Sequence, residues 1–166
     1  MNLFALNSPS ITGEVLCPGD KSISQRAVII GSLINQDMTI EGFLNGEDPI
    51  STINALNAIG SVIEINNTSV TIKQRETAFS SPKGDIDLGN SGTGMRLMMG
   101  LISSLGINVR LVGDKSLSKR PMLRVSEPLN LMGANILCRD GTPPVQITKA
   151  TLKIIFRMIC QLQVRR

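Results

Sequence analysis

The chain reads as an α/β protein built from two similar units, on three observations. Helical and strand-like segments alternate along its length, and glycine, proline and asparagine punctuate their ends. A short set of residues also recurs at fixed spacing. Leu56, Asn57, Gly60 and Ile63 reappear as Leu129, Asn130, Gly133 and Ile136, each 73 positions later. Arg26 and Arg96, 70 positions apart, take similar places in the leading helix of each unit.

The first unit spans about residues 14–73. Residues 22–34 carry a helical apolar face of Ala27, Ile30, Leu33 and Ile34, and residues 38–44 follow as a strand. Asp48 is placed to cap a helix over 49–59, with Pro49 at its first position and Gly60 as its stop. Two short strands, 62–65 and 69–73, join through a turn at Asn66–Asn67. The second unit, about 85–148, repeats this order. A strand at 85–88 leads to a helix at 93–105 with Met95, Met98, Met99, Ile102 and Leu105 on one face. A strand at 107–112 and a helix at 121–132, stopped by Gly133, follow. Strands 135–139 and 145–148 close the unit as a hairpin around Asp140–Gly141.

Composition limits the chemistry. The 166 residues are 42% hydrophobic and 18% charged, enough for one domain with a sizeable core. Trp, Tyr and His are absent and Met occurs eight times, so much of the core must be aliphatic and thioether. Without His, acid–base work falls to carboxylates, Lys or water. The formal charge is +4, but the cations are scattered and base-stacking aromatics nearly absent, which disfavours nucleic acid and favours small anionic ligands. Cys17, Cys138 and Cys160 are odd in number and lack metal-ligand spacing, as reduced thiols of a cytoplasmic protein would. No long apolar run suggests a membrane span.

Three segments concentrate the chemistry. In Cys17-Pro18-Gly19-Asp20-Lys21-Ser22-Ile23-Ser24-Gln25-Arg26 a turn opens a helix whose free amides attract anions. Lys21 and Arg26 sit there against the helix dipole, and a broken local rule often marks a ligand site. The competing reading has Ser22 or Ser24 capping the helix and both cations in solvent. In Leu88-Gly89-Asn90-Ser91-Gly92-Thr93-Gly94-Met95-Arg96 three glycines let backbone approach a ligand, or simply make a tight turn. The spacing fits neither a Walker loop nor a dinucleotide fingerprint. In Gly113-Asp114-Lys115-Ser116-Leu117-Ser118-Lys119-Arg120-Pro121 two cations precede a helix expected to start at Pro121; a solvated basic loop is the alternative. Three cationic helix starts together point to one polyanion site.

These motifs, in this order, resemble those of the 5-enolpyruvylshikimate-3-phosphate synthase family, from about residue 8 to about 153. The resemblance implies an inside-out α/β barrel-type domain of repeated β/α units, the enolpyruvyl transferase fold, present here in part. Residues 1–153 would be a partial N-terminal domain holding two of its three units. It implies transfer of the enolpyruvyl group of phosphoenolpyruvate to the 5-hydroxyl of shikimate 3-phosphate, with release of phosphate. By position, Lys21, Ser22 and Arg26 would hold shikimate 3-phosphate. Lys21, Asn90, Gly92, Thr93 and Arg120 would hold phosphoenolpyruvate, and Arg96 would play a structural part. No cofactor or metal is implied, and the whole protein is expected to be a cytoplasmic monomer. Leu97, where many members have Pro, and Glu47-Asp48, in place of an Asp pair, resemble the divergent bacterial class II. The sibling UDP-N-acetylglucosamine enolpyruvyl transferases usually carry a cysteine before their Arg-Pro pair, and residues 114–119 contain none.

The family's Ser-Ala-Gln motif and its proton-handling carboxylate and lysine lie further along than this chain runs, so the chain alone is expected to be inactive, a non-catalytic anion-binding fragment. Residues 154–166 resemble nothing in the family. Codons compatible with them, read one base earlier, spell a segment ending Met-Pro-Val-Ala-Ser-Ala-Gln, so they are expected to be an out-of-frame tail.

Overall fold

Asp20 starts the first helix: its carboxylate accepts from the Ile23 amide at 2.7 Å, satisfying one of the free N–H groups of the first turn. In a computed structural model, which describes Phe4, Ser10 and residues 12–153, this helix (α1) runs Lys21–Ile34. It ends on Asn35 in the left-handed region, at φ 57. The expected tail falls outside the described residues.

The face that α1 buries is not the one its apolar residues suggest. Ile30, Leu33 and Ile34 are exposed, while Gln25, Val28, Ile29, Gly31 and Ser32 are buried. Gly31 explains the choice. A Cβ there would lie 2.4 Å from Ile72 Cδ1, so the missing side chain lets α1 settle on the first sheet. That sheet contains β1 (Met38–Ile40), β2 (Val62–Asn66) and β3 (Ser69–Lys73) in the antiparallel order β1-β3-β2. β1 is shorter than expected because the chain turns away at Gly42 (φ +67), after which the Phe43 amide bonds the Thr68 carbonyl at 2.8 Å.

Helix α2 spans Glu47–Ala58 and is capped by Gly46 rather than Asp48. Asp48 lies inside the first turn, where its carboxylate suits the dipole and is engaged elsewhere. The β2–β3 turn falls at Asn67–Thr68, one residue later than expected, with Asn67 at φ 54.

The second sheet joins β4 (Ile86–Asp87), β5 (Val109–Val112), β6 (Asn135–Arg139) and β7 (Thr142–Thr148) in the order β4-β5-β7-β6, with only β4 and β5 parallel. Helix α3 (Gly92–Leu105) packs between the two halves: Met95, Met98, Met99 and Ile102 are fully buried in one core with Val28, Ile53, Leu56, Ile72 and Leu111. Unbranched thioethers fill that irregular space in place of aromatics. Pro121 starts no helix. A short 3-10 turn, Leu117–Lys119, is followed by extended backbone at Arg120, and α4 runs only Leu123–Leu131.

One device is built twice. The Asn57 side chain donates to the Ile63 carbonyl at 3.0 Å and accepts from its amide at 2.9 Å. Asn130 brackets Ile136 in the same way, at 2.9 and 2.9 Å. Gly60 (φ +112) and Gly133 (φ +98) make the two preceding turns. Each asparagine clamps a helix C-terminus onto the strand that follows. The leading helices, by contrast, align at 71 positions and not 70. Caps Asp20 and Ser91 correspond, as do Ser32 and Ser103, which each donate to the carbonyl four residues back at 2.7 Å. The residue matching Arg96 is therefore Gln25, not Arg26.

Each asparagine supplies both partners of a backbone amide unit. Asn57→Ala and Asn130→Ala are each expected to destabilise the chain by about 1–3 kcal/mol, the cost of leaving partly buried donors and acceptors unmade. Urea unfolding of the two variants measures this. A loss below about 0.5 kcal/mol at both, the usual size of a surface change, would remove the clamp from the account.

Candidate functional site

The N-terminal ends of α1, α2 and α3 are drawn together by one side chain. Gln25 is fully buried, and its Nε2 lies 2.8 Å from Ser91 Oγ, 2.9 Å from Thr52 Oγ1 and 3.2 Å from the Asp48 carbonyl. The surroundings orient the carboxamide. Thr52 gives its own proton to the Asp48 carbonyl (3.1 Å) and Ser91 accepts from the Gly94 amide (3.1 Å), so both hydroxyls present lone pairs to a donor. Gly94 sits against this cluster. A Cβ there would meet Ser91 Oγ at 2.7 Å, Thr52 Oγ1 at 2.9 Å and Gln25 Nε2 at 3.1 Å.

The residues of the first segment surround this node. Lys21 opens α1 and pairs with Asp48 at 2.8 Å across to α2, which offsets its position at the positive end of the helix dipole. Neither Ser22 nor Ser24 caps α1; Asp20 does, and Ser24 Oγ instead accepts from the Leu44 amide at 3.0 Å. Ser22 and Arg26 are one turn apart on one face, Ser22 half-buried and Arg26 exposed.

The second and third segments meet directly. Leu88 carries the chain out of β4, and Gly89 turns it at φ +53 into Asn90 and the α3 cap Ser91. The Asp114 amide donates to the Gly89 carbonyl at 2.9 Å, holding the third segment beside this loop. Asp114 then accepts from the Leu117 amide at 2.7 Å, and the 3-10 turn delivers Arg120. Its guanidinium donates to the Asn90 side-chain oxygen and lies over Gly92, where a Cβ would come within 2.8 Å of Nη1. Arg96 flanks the other side, 3.0 Å from that same point, and donates to the Gly92 carbonyl at 2.9 Å and the Pro121 carbonyl at 3.0 Å. Thr93 is half-exposed in the first turn of α3.

The cations stand close enough to feel one another. Burial, then Arg124, then Arg120 push the Arg96 guanidinium pKa down from its ordinary value. Like charges gathered at a helix start, with no carboxylate bonded to Arg96 or Arg120 among the described residues, make a place that a bound anion would stabilise. Arg120 owes this place to the loop and the 3-10 turn, not to a helix start of its own, and Lys119 is exposed. Among the described residues no group of three His, Cys, Asp or Glu could hold a metal ion, and no helix is long and apolar enough to cross a membrane.

Sequence reasoning missed Gln25, Thr52 and Arg124. Nothing in the letters separates Gln25 from a solvated helix position, and only the side on which α1 packs buries it.

Comparison with known proteins gives a consistent picture. Residues 7–158 match the family of EPSP synthase (3-phosphoshikimate 1-carboxyvinyltransferase). Over 149 residues the chain is 44% identical to the 3-phosphoshikimate 1-carboxyvinyltransferase of Legionella pneumophila (strain Corby), covering 89% of this chain and 34% of that one. Over 163 residues it is 44% identical to the protein of the same name from Oceanobacillus iheyensis, covering 93% and 37%. The solved structure of EPSP synthase from Acinetobacter baumannii superposes with a TM-score of 0.79 at 42% identity, over 86% of this chain and 33% of that one. The chain spans about a third of the length of the relatives it matches.

Gly94 is the tightest point of the node. Gly94→Ala is expected to lower the midpoint of thermal unfolding by several degrees, because overpacking costs about 1–3 kcal/mol. Gly100→Ala in the same helix, where a Cβ meets nothing within 4 Å, is the control and should be neutral or stabilising. Equal midpoints for the two variants would show that the node is not closely packed.

Proposed function

The chain belongs to the EPSP synthase family, and from that premise we propose that it is the N-terminal part of a 3-phosphoshikimate 1-carboxyvinyltransferase. In the proposed reaction the 5-hydroxyl oxygen of shikimate 3-phosphate bonds to C2 of phosphoenolpyruvate. The bond from C2 to the phosphate oxygen breaks, and the hydroxyl proton leaves with inorganic phosphate. Residues 14–73 and 85–148 are proposed as two repeated units of one domain, with the paired asparagine clamps as support. The whole protein is taken to work as a cytoplasmic monomer.

The observation that carries the reading is the gathering of the three cationic segments. Gln25 joins the first to the second through Ser91, and Arg120 joins the third to the second through Asn90. Lys21, Ser22 and Arg26 then form one edge, suited to the phosphate of shikimate 3-phosphate. Lys21, Asn90, Gly92, Thr93 and Arg120 form the other, suited to phosphoenolpyruvate. Arg120 offers a planar fork that matches a carboxylate or phosphate, whereas Lys21 is a point charge able to leave Asp48 and serve either ligand. Gly92, with no side chain, lets both guanidinium groups lie against the start of α3. Arg96, tied to two carbonyls, holds the loop there.

This wall binds and orients, and the groups that move protons are expected from the part of the enzyme beyond this chain. In the full-length protein, Lys21→Ala and Arg120→Ala are each expected to lower kcat/KM by at least about ten- to a hundredfold, since a hydrogen bond to a charged group contributes about 1.5–3 kcal/mol. Lys73→Ala is the control. Lys73 is half-exposed and 3.9 Å from Asp37 in the first sheet, so its loss should change kcat/KM by less than about threefold. Steady-state phosphate release measures all three. Near-normal efficiency in either site variant would refute the assignment.

A further inference from the structure

The buried carboxamide of Gln25 does more than fill space. Its Nε2 meets three acceptors on two other helices, yet its Oε1 is buried with no hydrogen-bond partner among the described residues. Leaving a buried acceptor unmade costs stability, and an apolar side chain of the same length would avoid that cost. Such a side chain would forgo the three bonds of the nitrogen, which tie α1 to α2 and α3.

That geometry is specific. One end of the side chain is fixed by α1, one turn beyond Lys21. The other end holds Ser91, which caps α3 through the Gly94 amide and directly follows Asn90. Thr52 and the Asp48 carbonyl, both on α2, bond the same nitrogen, and the Asp48 carboxylate holds Lys21 at 2.8 Å. Gln25 itself is fully buried, so its part in binding is through the residues it holds. The contacts around it therefore set where Lys21 stands relative to the Asn90–Thr93 loop.

We propose that Gln25 is a positioning residue for phosphoenolpyruvate binding: through Ser91 it fixes the start of α3 against α1 and α2. The inference rests on the ligand assignment above. Because α1 carries Lys21 and α3 carries the loop, loosening this joint weakens every ligand contact that needs both.

The test uses the chain itself, with Gln25→Met, which keeps length and apolar volume, Ser91→Ala, which removes the other end of the bond, and the double variant. Phosphoenolpyruvate affinity is measured by calorimetry, and amide hydrogen exchange is followed at residues 90–95. Each single variant is expected to weaken binding about tenfold, and the double variant by clearly less than the product of the two, because both remove the Gln25–Ser91 bond. Exchange at 90–95 should rise in each while the Asn57 and Asn130 clamps stay protected. A folded Gln25→Met with unchanged affinity overturns the proposal, as does full additivity in the double variant. If Gln25→Met fails to fold, Ser91→Ala carries the same two readings. Absence of saturable binding in the wild type would count against the ligand assignment. The exchange data then decide the positioning role alone, and unchanged protection at 90–95 overturns it.

Discussion

The candidate site is built around one constraint, the convergence of three helix N-termini on the side chain of Gln25. Helix starts carry free amides and a positive dipole, so bringing three together is unfavourable without something to bridge them. Here the bridge is neutral: one carboxamide, two hydroxyls and one carbonyl, packed against a glycine that leaves them room. The charges stay at the periphery, where water or a ligand can reach them. Gly94 and Gly31 serve the same end by different means, one admitting the polar cluster and the other letting α1 sit low enough on the first sheet to reach it.

The electrostatics follow from this arrangement. Lys21 opposes the dipole of its own helix and is compensated by Asp48 on the next one. Arg96 and Arg120 receive no such carboxylate among the described residues. They are held by oxygens: Arg96 by two carbonyls, Arg120 by the Asn90 amide oxygen. Neutral acceptors fix the direction of a guanidinium without cancelling its charge. The result is a pair of uncompensated guanidinium groups held in fixed directions against Gly92.

Much of this was legible in the letters, and what was not has identifiable causes. The α3 face of Met95, Met98, Met99 and Ile102 is where periodicity placed it, because that helix has one apolar side and buries it. Helix α1 has apolar residues on both sides, and periodicity picked the face of Ile30, Leu33 and Ile34, which is the exposed one. A glycine over Ile72 made the choice, burying Gln25 while Ile30 and Leu33 stay exposed. Pro121 looked like a helix start because proline often is one. The preceding Asp114 turn and the 3-10 segment instead spend those residues on presenting Arg120. The 73-residue recurrence marked the asparagine clamps, whereas the leading helices follow a different offset that only their caps reveal. Lys21, Ser22, Arg26, Asn90, Gly92, Thr93 and Arg120 were all visible as motif residues. The polar node that joins them was not, since Gln25, Thr52 and Ser91 lie far apart in sequence.

The central claim is that three segments make one anion-binding wall. Its most direct test is titration of the isotopically labelled chain with phosphoenolpyruvate, following backbone amides and arginine side chains by nuclear magnetic resonance. The account predicts that the amides of residues 21–26 and 90–93 and the Arg120 side chain shift together along a single saturable isotherm. Shifts confined to one segment, or fitting separate isotherms, would contradict it.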